Sequence, residues 1–347
     1  MSDGNEIQPV KVAVVGLGYW GPNLVRNLHE LPCASLEVVC DSRPEPLRQI
    51  CTRYPSLRGS RDFEEILADD EIEAVAIATP VGTHAELVTA ALACGKHVFV
   101  EKPLALSSAE AGSLMRLADA GGLVLMPGHT FLYSPAVNVI KDLIQDGALG
   151  EIYFISSSRV NLGIHQSDVS VVWDLGPHDF SILRYWLDEL PLRVAALSRS
   201  CVIPGVADVA FVSLEFPSGV VGHVELAWLA PSKLRRTAVI GSEKMVVYDD
   251  TSNEPVRLFD SGVSLPEPQT FGEYRLSYRT GDIVSPRVDA IEPLALELRD
   301  FCESVRTGRT PRSSAKIGLD VVRMVEAVEE SLDLLGAPVA PAESRTA

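Results

Sequence analysis

Short apolar runs punctuate the first third of the chain, at Val10–Val15, Leu36–Asp41, Ala74–Thr79, His97–Val100 and Leu123–Met126, with stretches of helical spacing between them. Runs that are apolar at nearly every position belong to strands covered on both faces, as in a parallel sheet flanked by helices. The intervening helices carry boundary signals. Asp62 with Glu65 and Ser107 with Glu110 have capping-box spacing, and Gly95 and Gly121 stand where helices end. Regular strand-helix alternation of this kind predicts a doubly wound α/β domain over residues 1–131.

Beyond a linking helix at Pro135–Gln145 the pattern changes. Strands are expected at Ile152–Val160, Arg193–Val202, Val209–Phe216, Val220–Leu229, Arg236–Ile240 and Met245–Tyr248, with turns at Pro217-Ser218-Gly219 and Gly241-Ser242-Glu243 closing two hairpins. Helices are expected at Asp174–Leu187, Pro293–Arg306 and Ser314–Leu335. In the last, Ile317, Val321, Val325, Val328, Leu332 and Leu335 form one apolar stripe. Residues 132–335 thus predict an α+β domain with a large, mainly antiparallel sheet, and 336–347 a flexible tail. A broad sheet with helices on one face leaves the other needing cover, so a homodimer or homotetramer is expected.

Length and charge narrow the function. A chain of 347 residues fits two domains, and 30 basic against 47 acidic side chains give a net charge of −17, which repels nucleic acid and anionic membranes. Met1–Val10 lacks the features of a signal peptide and no run reaches 18 apolar residues, so a cytoplasmic protein is expected. Six cysteines without a Cys-x-x-Cys pair are expected to be reduced, mostly packed thiols. His165, Asp174 and His178 lack metal-ligand spacing, so no metal is expected.

The first strand runs into Gly16-Leu17-Gly18-Tyr19-Trp20-Gly21, a G-x-G-x-x-G loop that opens a helix. Such glycines allow a tight turn, close approach to a pyrophosphate and close helix-strand packing. Asp41 ends the second strand, 20 residues after Gly21, where a carboxylate accepts ribose hydroxyls and favours NAD. Arg43, two residues on, is suited to the 2′-phosphate of NADP and tempers that preference; Ser42 lies between them. Two further segments stand at strand ends, where ligands of an open parallel sheet bind: Thr79-Pro80-Val81-Gly82-Thr83-His84 and Glu101-Lys102-Pro103. Lys102 at such an end is a candidate to hydrogen-bond a reacting hydroxyl.

With these three segments in this order, the chain resembles the Gfo/Idh/MocA family of oxidoreductases, which carry G-x-G-x-x-G, T-P-x-x-x-H and E-K-P. The resemblance spans nearly the whole chain. It implies NAD(P)-dependent oxidation or reduction of a secondary sugar or cyclitol hydroxyl, with Lys102 catalytic and Tyr19, Trp20, Thr79, Pro80, His84 and Glu101 among the cofactor-binding residues. Asp174 and His178, four apart at a helix start, match the family's D-x-x-x-H pair; His178 has the intrinsic pKa for proton transfer near neutrality. Segments 21–27, 128–133 and 159–163 look most like sugar 3-dehydrogenases and 3-ketoreductases, such as UDP-N-acetylglucosaminuronate 3-dehydrogenases. That implies a nucleotide-linked sugar or amino sugar oxidised at C3, with Tyr133, Arg159 and Asn161 contacting substrate. Aminoglycoside-sugar enzymes share much of this pattern. A non-catalytic NAD-binding sensor would need no Lys102, Asp174 and His178 together, and an NAD-dependent glycosidase would release free sugar.

Overall fold

A computed structural model describes residues 8–163, 165, 169–264 and 276–342. The chain forms two units, residues 1–133 with 291–322 and residues 134–290 with 323–347. It does not divide once at 131/132, as expected. The C-terminal helices α8 (Pro293–Thr307) and the first part of α9 (Ala315–Asp333) return to the first unit.

In the first unit the elements are β1 (Val10–Val15), α1 (Gly21–Glu30), β2 (Ala34–Cys40), α2 (Pro44–Arg53), β3 (Arg58–Ser60), α3 (Phe63–Leu67), β4 (Ala74–Ile77), α4 (His84–Ala93), β5 (His97–Glu101), α5 (Ser108–Gly121) and β6 (Leu125–Gly128). The strands form one parallel sheet in the order β3-β2-β1-β4-β5-β6. β3 lies outside the expected runs because two of its three residues are exposed and none is a large apolar one. Ser107 caps α5 as expected, accepting from the Glu110 amide. Asp62 caps α3 through the Glu64 amide, but Glu65 turns instead to the Ser60 hydroxyl at 2.6 Å. Gly122, with φ +62°, is the left-handed cap of α5, one residue beyond the expected Gly121.

α8 is fastened to this sheet by apolar and ionic contacts. Phe301 meets Phe99 edge-on at 5.9 Å, Glu292 pairs with Arg26 at 2.5 Å, and Arg306 pairs with Glu73 at 2.5 Å. Such long-range pairs tie residues near 300 to the first domain, a link no local pattern carries.

The second unit holds α6 (Pro135–Gln145), β7 (Ile152–Val160), α7 (Val171–Leu187), β8 (Arg193–Arg199), β9 (Val209–Glu215), β10 (Val221–Ala227), β11 (Leu234–Gly241), β12 (Met245–Asp249), β13 (Val256–Ser264) and β14 (Ser277–Val284). Its sheet runs β14-β13-β12-β11-β7-β10-β9-β8 and is antiparallel except where β7 meets β10. β13 and β14 are additions to the expected strands; β14 is exposed at every position, so it shows no apolar alternation. β8 ends at Arg199 rather than Val202 because the Cys201 and Val202 amides donate to Asp208 Oδ2, at 2.9 and 2.8 Å, which draws the chain away from the sheet edge. α7 begins at Val171 with Ser170 as its N-cap, three residues before the expected start.

The α9 stripe is buried at Val321, Val325 and Val328, but Leu335 lies past the helix end and is 91% exposed. The tail is not uniformly loose: Val339 is buried and pairs with Val194 through bonds of 2.7 and 2.8 Å. Residues 343–347 lie outside the described residues, as do 265–275 of the segment between β13 and β14. All six thiols are free, yet only Cys40 and Cys302 are buried, while Cys94 and Cys201 are exposed. Among the described residues no helix is long and apolar enough to cross a membrane.

The alternation of β7 decides the fate of its polar residues. Ile155, Ser157 and Arg159 face inward, and Arg159 forms a buried ion pair with Asp179 of α7. Ser157 donates to the other Asp179 oxygen at 2.7 Å and meets Thr237 of β11 at 2.8 Å. Removing one partner of such a pair costs on the order of 3–5 kcal/mol, since the other charge stays buried. Phe154, with Val221, Phe211 and Leu197 on neighbouring strands, is exposed on the opposite face.

Candidate active site

The carboxyl ends of β1, β4 and β5 lie side by side, and the sequence segments singled out above leave the sheet there. Gly16 has φ +92°, and a Cβ on it would lie 2.6 Å from the Ala78 carbonyl oxygen beyond β4. At Gly21 a Cβ would lie 2.0 Å from the Gly16 oxygen. Both positions exclude any side chain. Gly18 is open, with only an Arg43 nitrogen at 3.9 Å, which leaves room for a phosphate against the backbone. Tyr19 is 90% exposed and Trp20 borders α1.

Asp41 is buried where β2 ends. It accepts from the Leu17 amide of the glycine loop at 2.8 Å and from Arg43 through its amide, Nε and Nη2 at 2.9, 3.0 and 2.9 Å. The Arg43 bonds hold its carboxyl down to about 2, so it is ionised at neutral pH. Ser42 is exposed and its carbonyl accepts from Arg61 at 3.0 Å. The open glycine cradle and an ionised carboxylate beside it fit NAD, with Asp41 suited to the ribose hydroxyls.

At the end of β4, Thr79 meets the Thr83 hydroxyl at 2.7 Å and Pro80 opens a short turn. His84 departs from the role expected of it. Its ring is buried, with Nδ1 2.8 Å from the Pro103 carbonyl and Nε2 3.0 Å from that of Thr79, so both nitrogens are directed at backbone rather than at a ligand. Burial lowers its pKa. The neutral imidazole donates to one of these carbonyls and packs against the other, between the Thr79 loop and the segment that carries Lys102. Lys102 itself follows β5 and is half-buried. Glu101, the last residue of β5, precedes it, and burial raises its carboxyl to about 7.

Two buried residues near Glu101, His129 of segment 128–133 and Glu297, are not among the expected site residues. His129, one residue beyond β6, is 1% exposed with neither ring nitrogen hydrogen-bonded, and burial lowers its pKa to about 3. Glu297 of α8 is fully buried, and Oε2 accepts from the Thr130 hydroxyl at 2.7 Å. A signal for it exists: Leu294, Glu297, Leu298 and Phe301 follow the i, i+3, i+4, i+7 pattern of a buried stripe, with a carboxyl in an apolar position. Tyr133, expected at substrate, is buried instead. Its hydroxyl donates to Asp300 at 2.5 Å and accepts from the Ser313 amide at 3.0 Å, so it clasps the returning chain.

In the second unit, Asp174 and His178 stand one turn apart on α7, and both are half-buried. Asp174 accepts from the Trp228 indole at 3.0 Å, which orients its carboxylate. Arg159, expected at substrate, is instead the buried partner of Asp179. Asn161 is half-buried, with a side-chain oxygen that is enclosed and accepts no bond. His165 packs on the Trp228 ring at 5.4 Å, and no group of three metal-ligating side chains occurs among the described residues.

A glycine cradle and a lysine on one edge of a parallel sheet mark the class as a dinucleotide-dependent oxidoreductase. Comparison with known proteins agrees. The model for the oxidoreductase family with an NAD-binding Rossmann fold matches residues 10–129, and that of the GFO/IDH/MocA C-terminal domain matches residues 137–247. The chain belongs to the Gfo/Idh/MocA family. It is 29% identical over 318 residues to the scyllo-inositol 2-dehydrogenase (NAD(+)) of Bacillus subtilis strain 168, covering 87% of this chain and 88% of that protein. An oxidoreductase crystal structure from Magnetospirillum magnetotacticum MS-1 is 31% identical, covers 92% of this chain and all of that one, and has a TM-score of 0.80. The structure of GenD2 from gentamicin A biosynthesis, in complex with NAD, is 26% identical, covers 98% and 99%, and has a TM-score of 0.82. The chain is accordingly an oxidoreductase with an NAD-binding Rossmann domain.

Asp41→Ala should weaken NADH binding about tenfold and shift preference toward NADPH, because Arg43 then loses its carboxylate partner. Fluorescence titration with both nucleotides measures this, and an unchanged NADH to NADPH ratio contradicts it.

Proposed function

We propose that this protein oxidises a secondary hydroxyl on the ring of a sugar or polyol, at C3 where the ring is a hexose, in the cytoplasm. The observation that carries this is the strand order. With β1, β4 and β5 adjacent, the glycine cradle and the Lys102 segment share one sheet edge. NAD, when bound, supplies the hydride acceptor. The remaining task is the hydroxyl proton. His178 accepts it as general base, Asp174 orients the imidazole or a neighbouring hydroxyl, and Lys102 stabilises the developing alkoxide.

A nucleotide-linked sugar is one candidate substrate; an uncharged ring or an amino sugar is the other. Arg159 was the cation that suited a phosphate or carboxylate, and its guanidinium is buried against Asp179. That favours the uncharged or amino-substituted ring, in keeping with an inositol dehydrogenase and a gentamicin-pathway protein among the relatives. Six free thiols suit a reducing compartment.

Lys102→Met and His178→Ala should each lower turnover about 10²-fold or more, while NADH binding, governed by Gly16, Gly18 and Asp41, changes little. Near-normal turnover in both variants contradicts these roles. The exposed apolar face around Phe154, Leu197, Phe211 and Val221 is the surface for a dimer or tetramer. Light scattering should give the mass of at least two chains, and Phe211→Glu with Val221→Lys should lower it. A monomeric wild-type protein at micromolar concentration contradicts that assembly.

A further inference from the structure

The residues behind Lys102 form a buried polar cluster that the reaction described above does not use. Glu101 Oε1, Glu297 Oε1 and both ring nitrogens of His129 are enclosed and lack hydrogen-bond partners. The three side chains come from the end of β5, the residue after β6 and α8, and the contacts connect them. Glu101 and Gly128 are register partners in the sheet, and a Cβ on Gly128 would lie 3.1 Å from Glu101 Oε2. His129 and Thr130 follow directly, and Thr130 donates to Glu297.

We propose that Glu101 and Glu297 hold a single proton between them, kept on Glu297, beside a neutral His129, so that one negative charge faces Lys102 and none lies deeper. The two carboxyls differ in what surrounds them. Glu101 is partly buried, with the adjacent Lys102 cation, whereas Glu297 is fully buried. Among the described residues Glu297 accepts only from the Thr130 hydroxyl, and the charged groups acting on it are the carboxyls of Glu101 and Asp300. Asp300 is itself engaged by Arg309, the Tyr133 hydroxyl and the Arg312 amide.

A fully buried carboxylate with one neutral donor and like charges nearby is far costlier than its protonated form. Burial and Glu101 accordingly push Glu297 well above the usual carboxyl range, while Glu101 is raised by burial only to about 7. His129 stays neutral because burial and Lys102 both oppose its charging. Glu101 is then the one carboxylate of the cluster, next to Lys102 in the chain. Its value for catalysis rests on Lys102 meeting the reacting hydroxyl, as proposed above.

Infrared difference spectroscopy of the NAD-loaded protein at pH 8, where exposed carboxyls are ionised, reads the proton directly. The wild-type minus Glu297→Gln spectrum should show the carbonyl band of a protonated carboxylic acid. Thr130→Val, which removes the bond to that carboxyl, should shift the band, so the assignment survives if Glu297→Gln does not fold. Glu101→Gln should leave the band in place, because the proton sits on Glu297.

Absence of the band, a band indifferent to Glu297→Gln and Thr130→Val, or a band lost in Glu101→Gln overturns the proposal. The measurement needs no substrate. A failure here leaves the dehydrogenase assignment standing, and failure to oxidise any sugar leaves the shared proton standing.

Discussion

The Gly16 carbonyl lies so close to Gly21 that a methyl group on Gly21 would sit 2.0 Å from it, and most of the first unit's chemistry follows from that contact. It brings α1 down onto the end of β1, which presents the Leu17 amide to Asp41 at the end of β2. Two strand ends are thereby tied to one loop. His84 lies between the carbonyls of Thr79 and Pro103, after β4 and β5, and its neutral ring donates to one of them. The loop that accommodates a dinucleotide and the segment that carries the lysine leave the same edge of one sheet.

Buried charges in the molecule are satisfied to different degrees. In the second unit Arg159 pairs with Asp179, with Ser157 on the other carboxylate oxygen, an arrangement that fixes α7 against β7. In the first unit both oxygens of Asp41 accept from amides or Arg43. Glu101, His129 and Glu297 are less fully paired: atoms remain over that neither backbone nor side chain satisfies. Fully paired networks stabilise a fold and specify its packing, whereas incompletely paired ones alter proton affinities, which is why they gather near reacting groups.

Much of this was legible in the sequence because both sheets advertise themselves locally. Near-continuous apolar runs gave β1, β4 and β5 within a residue or two, and the glycine spacing located the cradle. What escaped was non-local or carried no apolar signal. β3 is recognised only by its register with Val38–Cys40, and β14 is exposed throughout. Arg159 had the chemistry of an anion-binding residue, but the strand's alternation turned it inward onto Asp179, a partner 20 residues away. Tyr133 met Asp300 and Ser313 across 167 and 180 residues, distances at which spacing says nothing. Glu297 was hidden because a carboxyl on a helix is ordinarily solvated, and only its place in the Leu294–Phe301 stripe marks it as buried.

The most direct measurement is absorbance of the reduced nicotinamide after inositols, free sugars, amino sugars and nucleotide-linked sugars are added to the protein with NAD or NADP. A secondary-alcohol dehydrogenase that uses Asp41 for its cofactor reduces NAD with at least one ring polyol or sugar, and does so faster than it reduces NADP. A protein that binds NAD yet reduces neither nucleotide with any of these compounds, or that reduces NADP alone, contradicts that assignment.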